Sequence, residues 1–217
     1  MTGRVVVVVG GGGPPAVPPG GLGDLRRHPL VVAADSGLAH AAALGLSVDH
    51  VVGDMDSVDP SVLAAAARSG VRIDRHPAAK DATDLDLALD VALEAEPGRI
   101  VVVTGEGDRF DHALAVALTV SAPRLAGVPV EAWVGAAHLW VVRDRVELAG
   151  RPGALVSLLP LHGPARGVST TGLRYPLDDE DLEAATSRGV SNEWVAEVAT
   201  VRLRSGVLLA VAPGAGS

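Results

Sequence analysis

The sequence predicts an α/β fold: a mostly parallel α/β sheet domain at the N-terminus, then a smaller antiparallel β-sandwich domain. Three observations carry this. Up to about residue 135, short valine-rich runs alternate with alanine- and leucine-rich helical stretches, the signature of βα units. Beyond that point strand-like segments are separated by glycine, proline and charged turns, and helical periodicity nearly vanishes. Finally, 48% of the 217 residues are hydrophobic and the mean hydropathy is +0.32, so both parts can bury a core. The expected division is 1–135 and 136–217.

The elements follow in order. Arg4 to Val9 reads as a strand buried on both faces. Gly10 to Gly23, dense in glycine and proline, is a loop. It lacks the Gly-Lys-Ser/Thr of a Walker A loop, and Pro15 breaks a Gly-x-Gly-x-x-Gly pattern. Its backbone N–H groups can still approach a phosphate, and an ordinary surface loop is the plainer alternative. Leu30 to Ala34 is a second strand ending at Asp35, Ser36 to Leu46 a helix, and Asp49 to Gly53 a third strand. A helix over Pro60 to Ser69, a short strand over Val71 to Ile73 and a helix over Asp81 to Glu94 come next. Arg99 to Val103 is a strand, His112 to Ser121 a helix opened by Asp111, and Pro129 to Val134 the last strand of the series. In the second part, His138 to Leu148, Ala154 to Leu159, Val198 to Leu203 and Val207 to Ala212 read as strands, with a helical turn at Asp179 to Ala185.

Bulk chemistry excludes several classes. The formal charge is −8, from 26 acids against 18 bases, with no basic arm or stripe, so neither nucleic acid nor an anionic membrane is an expected partner. There is no cysteine, which removes disulfides, thiolate nucleophiles and cysteine-ligated metals. The valine run near the N-terminus is too short for a signal peptide or a membrane span, and a cytoplasmic location is expected.

Three acidic clusters stand at the expected C-terminal ends of strands or at helix starts, where ligands of parallel sheets bind. They are Gly53-Asp54-Met55-Asp56-Ser57, Lys80-Asp81-Ala82-Thr83-Asp84 and Asp108-Arg109-Phe110-Asp111-His112. Carboxylates one residue apart can converge on a hard cation, and magnesium commonly bridges such groups to phosphates. Lys80 and Arg109 are suited to the phosphates themselves. The plainer alternatives are that Asp56 or Ser57 caps the helix from Pro60, and that Asp81 and Asp84 complement a helix dipole.

Taken together, Ala34-Asp35-Ser36-Gly37, Gly53-Asp54-Met55-Asp56-Ser57, Lys80-Asp81-Ala82-Thr83-Asp84, Asp111-His112, Thr170-Thr171-Gly172-Leu173-x-Tyr175-Pro176-Leu177 and Ser191-Asn192-Glu193 resemble the thiamine pyrophosphokinase family in order and spacing, over nearly the whole chain. The resemblance implies transfer of a diphosphoryl group from ATP to the thiamine hydroxyl, giving thiamine diphosphate and AMP, by a homodimer whose active site lies between subunits. It implies that Asp54, Asp56 and Asp84 hold magnesium, and that Asp35, Lys80, Thr83, Arg109 and Asp111 contact or organise the ATP phosphates. Ser191 and Asn192 would line the thiamine pocket, and Asp111 or Asp81 would orient or deprotonate the hydroxyl. The chain departs from the family at Ser36, often glycine there, and at Leu209-Ala210, where some members carry a tryptophan that stacks on thiamine. The stacking ring must then come from Trp194, Tyr175, Trp140 or Trp133, with Trp194 preferred because it adjoins Ser191-Asn192. Alternatives are a diphosphokinase of the same fold for another small alcohol, a non-catalytic nucleotide- or thiamine-binding regulator, and a glycosyltransferase using its Asp-x-Asp.

Overall fold

The computed structural model describes residues 3–16, 22–23, 25, 29–79, 81–105 and 109–214. They fall into two compact units, Met1–Thr119 with Gly127–Ala136, and Val120–Ala126 with Ala137–Ser217. The segment 120–126, expected in the first part, thus belongs with the second.

In the first unit, six parallel strands are β1 (Val5–Val9), β2 (Leu30–Ala34), β3 (His50–Gly53), β4 (Arg72–Arg75), β5 (Arg99–Thr104) and β6 (Val130–Val134). Their order across the sheet is β4-β3-β2-β1-β5-β6. Val6–Val9 and Ile100–Val103 have no exposed surface, as expected of central parallel strands covered on both faces. The helices are α1 (Gly37–Ala43), α2 (Pro60–Arg68), α3 (Asp84–Glu94) and α4 (Phe110–Val120). The strand order reverses between β1 and β5. In doubly wound sheets that switch point opens a crevice beyond the carboxyl ends of the strands.

One helix starts where expected and one does not. Asp59 caps α2, its carboxylate accepting from the N–H groups of Ser61 (2.7 Å) and Val62 (3.4 Å), so neither Asp56 nor Ser57 is needed there. α3 begins at Asp84 rather than Asp81, because Thr83 Oγ1 accepts the Asp86 N–H at 3.2 Å and ends the preceding bend. Asp81 therefore lies ahead of the helix and exposed.

The second unit is antiparallel. Its strands are β7 (Ala137–Val142), β8 (Arg145–Ala149), β9 (Leu155–Thr171), β10 (Glu180–Leu182), β11 (Asn192–Glu193), β12 (Val198–Arg202) and β13 (Ser205–Ala212). The single strand expected over His138 to Leu148 is two, parted by a bend at Arg143-Asp144. The short strand at Ala154 to Leu159 is the start of the 17-residue β9. Its first part pairs with β13 and its last part with β12, which also pairs with β8, so β9 passes from one sheet to the other. The expected helical turn at Asp179 to Ala185 is β10 instead, tied to β9 by Arg166, which meets Asp181 at 2.9 Å and Glu183 at 2.5 Å. One core collects the inward residues of both sheets, among them Trp140, Leu148, Leu158, Val168, Leu182, Trp194, Val201 and Leu208. Among the described residues, no helix is long and apolar enough to cross a membrane.

Candidate active site

Beyond the carboxyl ends of the strands of the first unit lies a cleft of about 310 Å³. Segments following β1 (Gly10, Gly11, Gly12), β2 (Asp35, Ser36) and β5 (Thr104, Gly105) line it, with Ser57, the start of α3 and the α4 residues His112 and Val116.

The carboxylates meet here for a reason of register. Ala34 stands opposite Val52, and the Asp35 N–H extends the ladder by donating to Val52 O at 2.9 Å. Asp35 and Gly53-Asp54 thus leave adjacent parallel strands side by side, and the first residue of α3 brings in Asp84. The ligating oxygens of Asp35, Asp54 and Asp84 all lie within 4.8 Å of one another. Gly53 permits this approach. Its φ is 147°, and a Cβ built there would stand 3.0 Å from Asp84 Oδ1 and 3.2 Å from Asp35 Cβ.

Asp35 is the strained member. It is buried and holds a left-handed φ of 49°, and its Oδ1 is buried with no hydrogen-bond partner. Burial raises its carboxyl pKa, the hydrogen bonds from Ser36 and Ser57 oppose that, and the charges of Asp84 and Asp54 raise it further. Three converging carboxylates, one buried with an orphan oxygen, fit a hard divalent cation with oxygen ligands. Asp56 is not in this group. Met55 takes a left-handed φ of 65°, the Asp56 N–H returns to Asp54 Oδ1 at 3.1 Å, and the Asp56 carboxylate is exposed, accepting from Ser57 Oγ at 2.8 Å.

The cationic side is exposed. Arg109 grips Asp111 through Nη2–Oδ2 at 2.5 Å and Nε–Oδ1 at 3.2 Å. That grip holds the Asp111 carboxyl below its usual range. Lys80 and Asp108 lie outside the described residues. Thr83 lines the cleft, and its Oγ1 serves as the α3 cap. Sequence reasoning passed over Thr104, whose hydroxyl is buried in the cleft wall without a partner. The only signal was its place directly after a valine run.

In the second unit, Ser191 is exposed at a left-handed φ of 60°, and Asn192 is buried. Asn192 Oδ1 accepts the Tyr175 N–H at 3.0 Å and Nδ2 donates to the Tyr175 carbonyl at 2.8 Å, so this side chain fastens the 172–177 loop. Trp194 corrects the expectation of a stacking ring. It is 1% exposed, its Nε1–H donates to Leu148 O at 3.3 Å, and Gly150 packs so tightly on it that a Cβ would sit 2.2 Å from the indole. No face of this ring is left for a ligand.

Comparison with known proteins converges on one family. Residues 24–130 match the thiamin pyrophosphokinase catalytic domain, and residues 145–208 match the thiamin pyrophosphokinase vitamin B1 binding domain. The chain is 24% identical over 192 residues to the thiamine pyrophosphokinase of Bacillus subtilis, covering 85% of this chain and 87% of that one. The crystal structure of a thiamine pyrophosphokinase from Bacillus subtilis superposes with a TM-score of 0.83 at 23% identity, covering 98% of this chain and 100% of that one. A thiamin pyrophosphokinase family protein from Enterococcus faecalis gives 0.77 at 25% identity, covering 96% and 97%. With each unit matched by a different domain of one family and the fold shared from end to end, the chain belongs to the thiamin pyrophosphokinase family.

Proposed function

We propose that this protein transfers the β,γ-diphosphoryl group of ATP to the hydroxyl of thiamine, releasing AMP and thiamine diphosphate, with magnesium required. The observation that carries the reading is the Asp35–Asp54–Asp84 group at the carboxyl ends of β2 and β3, in a chain whose two units match the catalytic and vitamin B1 binding domains of one family. In the reaction, the thiamine oxygen forms a bond to the β-phosphorus and the bond from that phosphorus to the α–β bridging oxygen breaks. The hydroxyl proton leaves late, so its acceptor needs no high pKa. Asp81 and Asp111 are the proposed acceptors.

Asp35, Asp54 and Asp84 would hold magnesium, whose chemistry is to neutralise phosphate charge. Asp56, two residues beyond Asp54, sits on the exposed limb of the same turn and would face phosphate rather than the cation. The chain's own residues do the rest. Gly11, Gly12 and the Thr104 hydroxyl line the cleft for the nucleotide, beside Ser36 and Thr83. Asp111 fixes the Arg109 fork, and with Lys80 it meets the phosphates. Such a transfer asks for positioning and charge neutralisation and not for a protein nucleophile.

The same reading makes the enzyme a cytoplasmic homodimer. α4 exposes Phe110, Leu114 and Leu118, four residues apart on one stripe, an apolar surface that a second copy would cover. Neither nucleic acid nor membrane is a partner.

The test is to incubate the protein with ATP and magnesium, with and without thiamine, measuring AMP and following thiamine diphosphate by mass. The two products appearing together, and only with thiamine and metal, support the reading. ATP and metal binding without product would sink it in favour of another acceptor alcohol or a binding role, and AMP release without a thiamine product would make the protein a hydrolase, with water taking the diphosphoryl group.

A further inference from the structure

The span matched to vitamin B1 binding, 145–208, holds only two residues of the Phe, Tyr and Trp class, Tyr175 and Trp194. Trp194 is sealed in the core. Tyr175 is 63% exposed. Thiamine is a flat aminopyrimidine joined to a thiazolium cation, and an electron-rich ring face attracts such a group. We infer that Tyr175 is the aromatic platform on which thiamine stacks, and that Asn192 is the residue that positions it. This rests on the function proposed above.

The backbone beneath that ring is unusually well held for a surface loop. Asn192 satisfies both the N–H and the carbonyl of Tyr175. On one side, the Arg174 N–H donates to Glu193 O at 2.8 Å, and the Arg174 guanidinium pairs with the Glu193 carboxylate at 2.8 Å. On the other, the Leu177 N–H donates to Thr170 Oγ1 and the Thr170 N–H to Leu177 O, each at 2.9 Å. An exposed tyrosine ring adds little to the stability of a fold. A buried asparagine spent on both its backbone groups makes sense when the ring must be presented in one place. The leucine and alanine at 209–210 are buried, at 2% and 0% exposure, and offer no ring of their own. The other exposed aromatic residue, Phe110, lies in the catalytic span.

Tyr175 is the chain's single tyrosine, which gives a clean test. Protein grown with 3-fluorotyrosine carries one 19F resonance from this position. Titration with thiamine should move it saturably, and ATP with magnesium alone should not. On the same sample, thiamine diphosphate formation is measured. A resonance that stays still while product forms overturns the role of Tyr175 and leaves the reaction standing. A sample that forms no product sinks the reaction, and this inference with it. A resonance that follows protein concentration but not thiamine places the ring in a subunit contact and overturns the inference. Tyr175→Ala should raise the KM for thiamine roughly 5- to 30-fold with the KM for ATP nearly unchanged, and Tyr175→Phe should restore most of it. Asn192→Ala should raise the thiamine KM and broaden the 19F line. A lower Tm with an unchanged KM would leave Asn192 a purely structural residue.

Discussion

Asp35→Asn is expected to stabilise the metal-free protein and to remove most of its stabilisation by magnesium. The substitution suits the backbone, since asparagine tolerates the left-handed φ of 49° better than most residues. Its amide oxygen can still accept from the Ser36 N–H. What changes is charge. The three carboxylates present oxygens within 4.8 Å of one another. Two like charges at that separation repel by about 1 kcal/mol in water and about 3.5 kcal/mol at an effective dielectric near 20. Asp54 and Asp84 are half-buried, so an intermediate value applies, and neutralising Asp35 deletes two such pairs. The expected gain without metal is about 2–5 kcal/mol, or a Tm higher by roughly 5–20 °C for a protein of this size. Magnesium at a hundredfold excess over its Kd should stabilise the unmodified protein by about 2.7 kcal/mol, and the variant by far less. The assay is differential scanning calorimetry in chelator and again in magnesium. If the variant melts at or below the unmodified protein in chelator, or if magnesium raises both equally, the three carboxylates do not form a repulsive cation site.

Gly53→Ala places a Cβ 3.0 Å from Asp84 Oδ1 at a φ few side chains adopt. It should cost about 1–3 kcal/mol and shrink the magnesium-dependent Tm shift, as read by the same calorimetry. Asp54→Asn should abolish most diphosphoryl transfer and Asp56→Asn should cost less, because only Asp54 converges with its neighbours; equal losses at limiting magnesium would contradict that ranking. Trp194→Ala should destabilise the second unit by about 3–5 kcal/mol in denaturant unfolding, without a selective effect on the thiamine KM of the folded fraction. Asp181 is held below its usual pKa, first by the Gly167 N–H and then by Arg166. Its contribution to stability is therefore present above about pH 4 and lost as pH falls through the lower folded-state value, so Asp181→Asn should flatten the acid limb of the Tm–pH curve.

Much of this site could be read from the sequence because the fold puts chemistry where strands end. A carboxylate at the end of a short apolar run, directly as at Asp35 or after one glycine as at Asp54, advertises the carboxyl edge of a parallel sheet. What spacing could not reveal is which carboxylates converge. Asp54 and Asp56 are neighbours in the chain, yet the left-handed Met55 parts them, while Asp35 arrives beside Asp54 through the register of β2 against β3. Trp194 shows the same limit. Proximity to Ser191-Asn192 suggested a ligand wall, but Asn192 and Trp194, two residues apart, share the face that points into the core. The length of β9 was hidden by Gly163-Pro164, which read as a break. The left-handed φ at His162 instead lets the strand turn from one sheet into the next without ending. β10 had too few residues for any period to show.

The position of β13 has a consequence for how the protein is made. It follows every other strand in sequence, yet it lies between β7 and β9, pairing with both. As the chain leaves the ribosome, β7 and the first part of β9 emerge with a vacant slot between them, their inner edges bare until residue 212 is free of the exit tunnel. The βα units of the first unit complete mostly with sequence neighbours and can form during synthesis, whereas the second must wait. Nascent chains stalled a few residues short of that point would carry a finished catalytic unit and an open β-domain with two unpaired edges, a state prone to pairing with other chains.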